Sequence, residues 1–274
     1  MLASQRQEAI LAAIRRHGAA RVADLVESLG VSDMTVRRDI GELARRGLVL
    51  RVHGGAVDAR RAADEPGFRA KAELFSPEKA AIAAAAVDEI APGGAVALSG
   101  GTTTHLVARL IAETPALRPL TVVTNSLPAA EVLHQAADPD LSVVLIGGTR
   151  TPSDALVGPV ATHALETLRV DVLFLGVHGI DLRAGLTTPN LLEAETDRAL
   201  VAAAGRTVVV ADHSKWGVVG LARIVGLADV DLVITDQGVP SDAADAANDA
   251  VDLVLVHARG SVPSHPPADL GAAT

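Results

Sequence analysis

The chain has 274 residues, 49% hydrophobic and 21% charged, with a formal net charge of −9, and can bury a core as one large domain or as a small and a medium one. It has no cysteine, which excludes disulfide frameworks, thiol nucleophiles and thiolate metal sites. Aromatics make up 1%, too few to stack single-stranded nucleic acid, and no apolar run reaches membrane-spanning length, so a cytoplasmic protein without membrane contact is expected.

Charge is unevenly spread. Residues 1–61 hold 11 Arg against 7 acidic groups, a net of +4, and the remainder carries −13. A basic head on an acidic body reads as a polyanion-binding module joined to one of another kind. Within the head, Gln5 to His17 reads as a helix with Ile10, Leu11 and Ile14 in an apolar stripe, stopped at Gly18. Val22, Leu25, Val26 and Leu29 repeat the spacing of one buried helical face. Ser32 is a good N-cap for a third helix, and Asp33 in its first turn suits the dipole. There Val36, Ile40 and Leu43 share a face, with Met34, Arg38, Gly41 and Arg45 opposite and Thr35 and Arg37 on the flanks.

Two short helices joined by a tight turn, the second carrying Thr and Arg outward, form a helix-turn-helix pattern. Leu48, Leu50 and Val52 then alternate with Val49, Arg51 and His53, and Gly54-Gly55 supplies a hairpin turn, a basic wing for the phosphate backbone. The candidate contacts with duplex DNA are Ser32, Asp33, Met34, Thr35, Arg37, Arg38 and Arg45 on the helix and Arg51 and His53 on the wing. One such unit offers too small an interface for site-specific affinity, so a dimer or higher homo-oligomer is expected.

The head is assigned to 1–57. A charged linker with Pro66 and without sustained period follows over 58–75, with Phe68 and Arg69 as its candidate docking residues. Ser76-Pro77-Glu78 starts an Ala-rich helix. From there to 258, runs at 95–99, 120–124, 141–147, 171–176, 207–211, 231–235 and 251–256 have the continuous Val/Leu/Ile character of parallel strands covered on both faces. Helices are expected at 102–113, 126–137, 155–168 and 190–204, giving an open, mostly parallel α/β body. A Pro-bearing tail, 259–274, is expected to be disordered.

Ligands of such sheets sit at the carboxyl ends of the strands. Those ends read Ser99-Gly100-Gly101-Thr102-Thr103-Thr104, Thr124-Asn125-Ser126, Gly147-Gly148-Thr149, Gly176-Val177-His178-Gly179-Ile180-Asp181 and Asp212-His213-Ser214-Lys215. A strand, then Gly-Gly-Thr-Thr-Thr, then a helix presents backbone N–H groups and hydroxyls where the dipole favours an anion.

The stretch VSDMTVRRDIGELARRGLVLRVHGGAV resembles the N-terminal signature of the DeoR family of bacterial transcriptional regulators, and LSGGTTTHLVARL, VVTNSL, VVLIGGTR, FLGVHGIDLRAGLTT and ADHSKWG are similar to its later signatures. The resemblance covers residues 5–236. It implies a winged helix-turn-helix followed by a sensor similar to ribose-5-phosphate isomerase and coenzyme A transferases, and a repressor of carbohydrate genes whose DNA affinity a phosphorylated sugar controls. Carried over by position, Gly101, Thr102, Thr103 and Thr104 cradle the phosphate, and Asn125, Ser126, His178, Asp181 and Lys215 meet sugar hydroxyls or line the pocket. Ser99, Gly100, Gly147, Gly148 and Gly179 complete the candidate effector residues. Two positions depart from the family pattern, Ser99 for an Asp and Asp197 for a Lys, leaving Arg150, Arg183 or Arg198 as candidates for the lost cation.

The competing reading is a sugar-phosphate isomerase with an appended DNA-binding unit, its base drawn from Asp181, Glu193 or Glu195. Against it, the three lysines, Lys71, Lys79 and Lys215, avoid the segment after Asp181 where the related isomerases place theirs. A third reading makes the body purely an oligomerisation unit. The nine histidines are scattered without a close pair, so neither a metal nor another cofactor is expected. Trp216 reads as a partly buried anchor.

Overall fold

The computed structural model describes residues 3–17, 19–46, 48–52, 55–58 and 68–258. His53, Gly54, the linker over 59–67 and the tail over 259–274 lie outside them. The N-terminal unit runs α1 (Ala3–His17), β1 (Ala19–Arg21), α2 (Val22–Leu29), α3 (Asp33–Arg45), β2 (Val49–Val52) and β3 (Gly55–Asp58). Ile10 and Ile14 of α1, Val22 and Leu25 of α2, and Val36, Ile40 and Leu43 of α3 close one core with Val49 and Ala56. This is the stripe that the 3.6-residue period demanded. The hairpin forms with Arg51 opposite Ala56, and β1, which no alternation announced, pairs antiparallel with β3 as a third strand.

The second unit begins with α4 (Phe68–Ala72), a single turn inside the stretch read as linker, and α5 (Ser76–Val87). It continues β4 (Ala95–Leu98), α6 (Thr102–Ala112), β5 (Leu120–Thr124), α7 (Leu127–Gln135), β6 (Leu141–Leu145), β7 (Thr149–Arg150), β8 (Leu156–Val157), α8 (Pro159–Glu166) and β9 (Val170–Leu175). The remainder is β10 (Gly179–Asp181), β11 (Gly185–Thr188), α9 (Leu191–Ala203), β12 (Ala204–Val210), β13 (Ala222–Arg223), β14 (Leu232–Asp236), α10 (Ser241–Asn248) and β15 (Asp252–Val256). The helix expected over 155–168 starts only at Pro159, because Leu156 and Val157 pair with Arg150 and Thr149 instead.

Seven strands form one parallel sheet in the order β15-β14-β12-β9-β4-β5-β6. Apolar side chains on both faces explain why these strands read as unbroken runs. One face packs on α5, α6 and α7 through Ile82, Val107, Ile111 and Leu133. The other packs on α8, α9 and α10 through Leu165, Leu200 and Ala247. Chain order runs outward from β4 through β5 to β6, and from β9 through β12 and β14 to β15, so the winding reverses between β4 and β9. In an open α/β sheet that reversal parts the loops and leaves a crevice at the strands' carboxyl ends.

Candidate functional site

On the N-terminal unit, α3 is held from behind and displayed in front. Its buried Asp39 accepts from Arg6 Nε of α1 at 2.5 Å and from Gln7 Nε2 at 3.4 Å, which fixes the angle between the two helices. Ser32 caps α3, accepting from the Thr35 N–H at 3.3 Å, and its hydroxyl lies 2.8 Å from that of Thr35. Arg37 turns back to Asp33, with Nε donating at 2.5 Å and Nη2 at 3.2 Å. Arg45 pairs with Glu42. Ser32, Asp33, Thr35, Arg37 and Arg45 therefore all serve α3 itself in the free chain.

Arg38 is exposed, with no ion-pair partner among the described residues, and Met34 is 80% exposed beside it. An unpaired guanidinium and a bare thioether on the outer face of such a helix suit a guanine edge and a thymine methyl. Arg51 lies on β2, and His53 is outside the described residues.

On the second unit the switch between β4 and β9 holds a cleft. Gly100, Gly101, Thr102 and Thr103 line it after β4, Asn125 after β5, Gly176, Val177 and His178 after β9, and Val210 and Ala211 at the end of β12. Lys215 closes one side. The N-terminus of α6 opens on it through Gly101, with no side chain capping the first-turn N–H groups, so the positive end of the dipole is available to an anion. Asn125 is 1% exposed; its Nδ2 donates to Leu156 O at 3.1 Å, while its Oδ1 has no hydrogen-bond partner among the described residues. Asn125 lines the cleft, and an orphaned buried acceptor there is costly unless a donor reaches it, as a ligand hydroxyl can.

Several residues expected to touch an effector instead hold the cleft in shape. Thr104 is fully buried and donates to Ser99 O at 2.8 Å and Gly101 O at 3.0 Å. Ser99 Oγ accepts from Gly176 N–H at 2.9 Å and ties β4 to β9. Ser126 caps α7. Asp181 accepts from the N–H groups of Arg183 and Ala184 in the turn between β10 and β11. Gly179 lies in β10, and a Cβ there would stand 2.1 Å from Val218 O. Gly147 faces Val160, and Gly148 lies against the backbone of Val157, with φ at 149°. All seven lie outside the cleft lining for one reason: a hydroxyl, carboxylate or bare Cα at a strand end satisfies backbone groups as well as it greets a ligand.

The effector residues drawn from the sequence leave out the cleft's other wall, although the sequence marks Phe68 as a docking residue, Glu193 as a candidate base and Asp197 as a departure from the family pattern. Phe68 and Lys71 come from α4, Ser153 and Ala155 from the segment before β8, Thr188 from β11, and Glu193 and Asp197 from α9. The two acids sit at i and i+4, a spacing that puts them side by side on one helical face, and that spacing was the available signal. Thr188 Oγ1 donates to Glu193 Oε2 at 3.1 Å. None of Arg150, Arg183 and Arg198 lines the cleft: Arg150 pairs with Asp154 and Arg198 donates to Arg223 O.

Beneath the cleft, buried Lys79 donates to Lys71 O and Leu74 O, both at 2.6 Å. Burial lowers this ammonium to about 8, with Asp212 opposing and Lys215 and Lys71 adding to the fall. Between that value and the ordinary one the unfolded chain keeps a proton that the folded chain has lost. Its contribution to stability is therefore lost below about pH 8 and grows as pH rises through the window. We expect the melting temperature of the wild type, taken relative to Lys79→Met, to rise between pH 7.5 and 10; a flat or falling difference would contradict this. Nearby, burial disfavours the Asp236 carboxylate, but bonds from the His213 ring at 2.7 Å and from the N–H groups of His213 and Gly238 outweigh it and hold its pKa below the usual carboxylate range.

Among the described residues no helix is long and apolar enough to cross a membrane. Residues 6–61 match the family described as DeoR-like helix-turn-helix domain, and residues 75–237 the one described as DeoR C terminal sensor domain. The HTH-type transcriptional regulator GlpR of Haloferax volcanii is 38% identical over 91% of this chain and 96% of its own length. The transcriptional repressor AccR of Agrobacterium fabrum is 34% identical over 85% and 89%, and the glycerol-3-phosphate regulon repressor of Escherichia coli K12 is 32% identical over 88% and 93%. Among solved structures, ribose 5-phosphate isomerase A from Methanocaldococcus jannaschii is 18% identical, covering 50% of this chain and 53% of its own at a TM-score of 0.38. With both of its units matched in sequence and relatives aligned along nearly their whole length, the chain belongs to the DeoR family of transcriptional regulators.

Proposed function

We propose that the protein is a repressor of carbohydrate-metabolism genes whose affinity for operator DNA is set by a phosphorylated sugar bound in the sensor cleft. The observation that carries this reading is the pairing, in one cleft, of the uncapped N-terminus of α6 with Lys215 and the orphaned Asn125 Oδ1. A phosphate suits the first two and a sugar hydroxyl the third. Glu193 and Asp197 can accept from further hydroxyls. The operator is duplex DNA bound by a homo-oligomer, since one recognition helix per site is too small an interface. Regulation requires only that the ligand bind the DNA-competent and DNA-incompetent states unequally.

Turnover as a sugar-phosphate isomerase would rest on one of the three candidate bases: Asp181 is tied into a turn, Glu195 is exposed outside the cleft, and Glu193 alone lines it, accepting from Thr188 Oγ1 at 3.1 Å.

A panel of phosphorylated sugars tests the reading. The cognate compound is expected to raise the melting temperature, because a ligand at about 100 times its Kd stabilises the folded chain by roughly 2.7 kcal/mol. It is also expected to change the retardation of duplex from the chain's own upstream region and to be recovered unaltered. A panel without any shift sinks the effector, and recovery of the isomeric sugar restores the enzyme.

A further inference from the structure

We propose that the single turn α4 is part of the effector site: Lys71 supplies a cation to the ligand's phosphate, and that contact reports occupancy to the chain leading back to the wing. The inference rests on the cleft being the effector site and names the regulation of that site. Three observations converge. Phe68 and Lys71 line the cleft although they precede the sensor's first strand by more than twenty residues. Phe68 stands edge-on to His105 of α6, ring centroids 5.3 Å apart at 89°, and its N–H donates to Pro152 O at 3.3 Å. Lys71 Nζ donates to Ser153 Oγ, in the segment before β8, at 3.5 Å. The turn thus spans the space between the anion-binding helix and the far wall.

Charge supplies the reason for a cation at this place. The cleft carries two carboxylates, Glu193 and Asp197, against two ammonium groups, Lys71 and Lys215. A phosphate entering at the N-terminus of α6 adds negative charge, and without Lys71 it would face two acids with one balancing lysine. Nine residues separate Asp58, the last of β3, from Phe68. Nine residues reach at most about 30 Å when extended, so a contact made on α4 acts within one short tether of the wing. The backbone of α4 is anchored separately by Lys79, through Lys71 O and Leu74 O. Truncating the Lys71 side chain therefore removes the cation and spares the turn.

The test uses the full chain with inorganic phosphate as probe, in wild type, Lys71→Met and Lys71→Arg. Phosphate affinity is read by calorimetry, and the linker by tryptic cleavage after Arg60 and Arg61. We expect phosphate to bind the wild type and slow cleavage, Lys71→Met to bind roughly tenfold more weakly with no protection, and Lys71→Arg to restore both, as a charge-assisted bond predicts. Equal phosphate affinity in wild type and Lys71→Met overturns the inference and leaves the cleft intact. Weaker binding with protection unchanged leaves Lys71 a ligand and removes its reporting role. No phosphate binding by the wild type removes the anion site and this inference together.

Discussion

Arg38→Ala is expected to abolish discrimination between operator and unrelated duplex while leaving weak non-specific binding in place. The helix that carries Arg38 cannot turn away from the groove, because Val36, Ile40 and Leu43 are buried behind it and Asp39 is bound to Arg6. Arg37, its neighbour, is engaged by Asp33, whereas Arg38 meets no acid among the described residues and is free to address a base edge. A bidentate arginine contact is worth about 1–3 kcal/mol of discrimination, and two symmetric subunits double it, a factor of roughly 30 or more in relative affinity. Two comparisons separate base reading from charge. Arg51→Ala on the wing should weaken all sequences alike and lower the salt slope by about 1 per subunit. Asp33→Ala, which releases Arg37, should strengthen binding to unrelated duplex. Fluorescence anisotropy on operator and scrambled duplex across a salt series reads all three. An unchanged operator-to-scrambled ratio in Arg38→Ala would falsify the assignment of α3 as the recognition helix.

The parts of this molecule that were legible in advance are those in which local pattern and burial coincide. The runs at 95–99 and 120–124 could only be strands covered on both faces, and they form β4 and β5 at the centre of the sheet. The apolar stripes of α1 to α3 meet in one core for the same reason. What stayed hidden depends on contacts distant in sequence. The small antiparallel sheet of β10, β11 and β13 is built from strands of two to four residues, too short to show a period. The turn α4 lies in a charged stretch and exists because Phe68 finds His105 and Lys79 finds two carbonyls. The strand ends announced the cleft because a parallel sheet gathers them at one edge. Which side chain there faces the ligand and which braces the loop was not readable from residue type, as Ser99, Thr104 and Asp181 illustrate.

Gly100→Ala is expected to destabilise the sensor by about 1–3 kcal/mol through overpacking and to abolish its stabilisation by phosphate, and a second change, Ala155→Gly, to restore both. Gly100 does not owe its identity to backbone freedom, since its φ is outside the left-handed region. Space is what excludes a side chain. A Cβ there would stand 2.6 Å from the Cβ of Ala155, with nothing else nearer than the Ala155 Cα at 3.7 Å. Both residues line the cleft, on opposite lips, so relieving the clash must spread the lips or push the loop that carries Thr102 and Thr103 away from the anion. The Ala155 lip has little room to retreat: Leu156 N–H donates to Asn125 O at 2.7 Å, Asn125 Nδ2 to Leu156 O at 3.1 Å, and Leu127 N–H to Asp154 O at 3.0 Å. Removing the Ala155 methyl leaves the new one at ordinary contact distance. The two substitutions should therefore show a coupling energy of about 1–3 kcal/mol, far beyond the few tenths expected of independent sites. Denaturation midpoints of the four chains, each with and without phosphate, measure it. Additive losses would mean that the lips are not fixed against each other and that the narrow mouth is not what aligns the anion with α6.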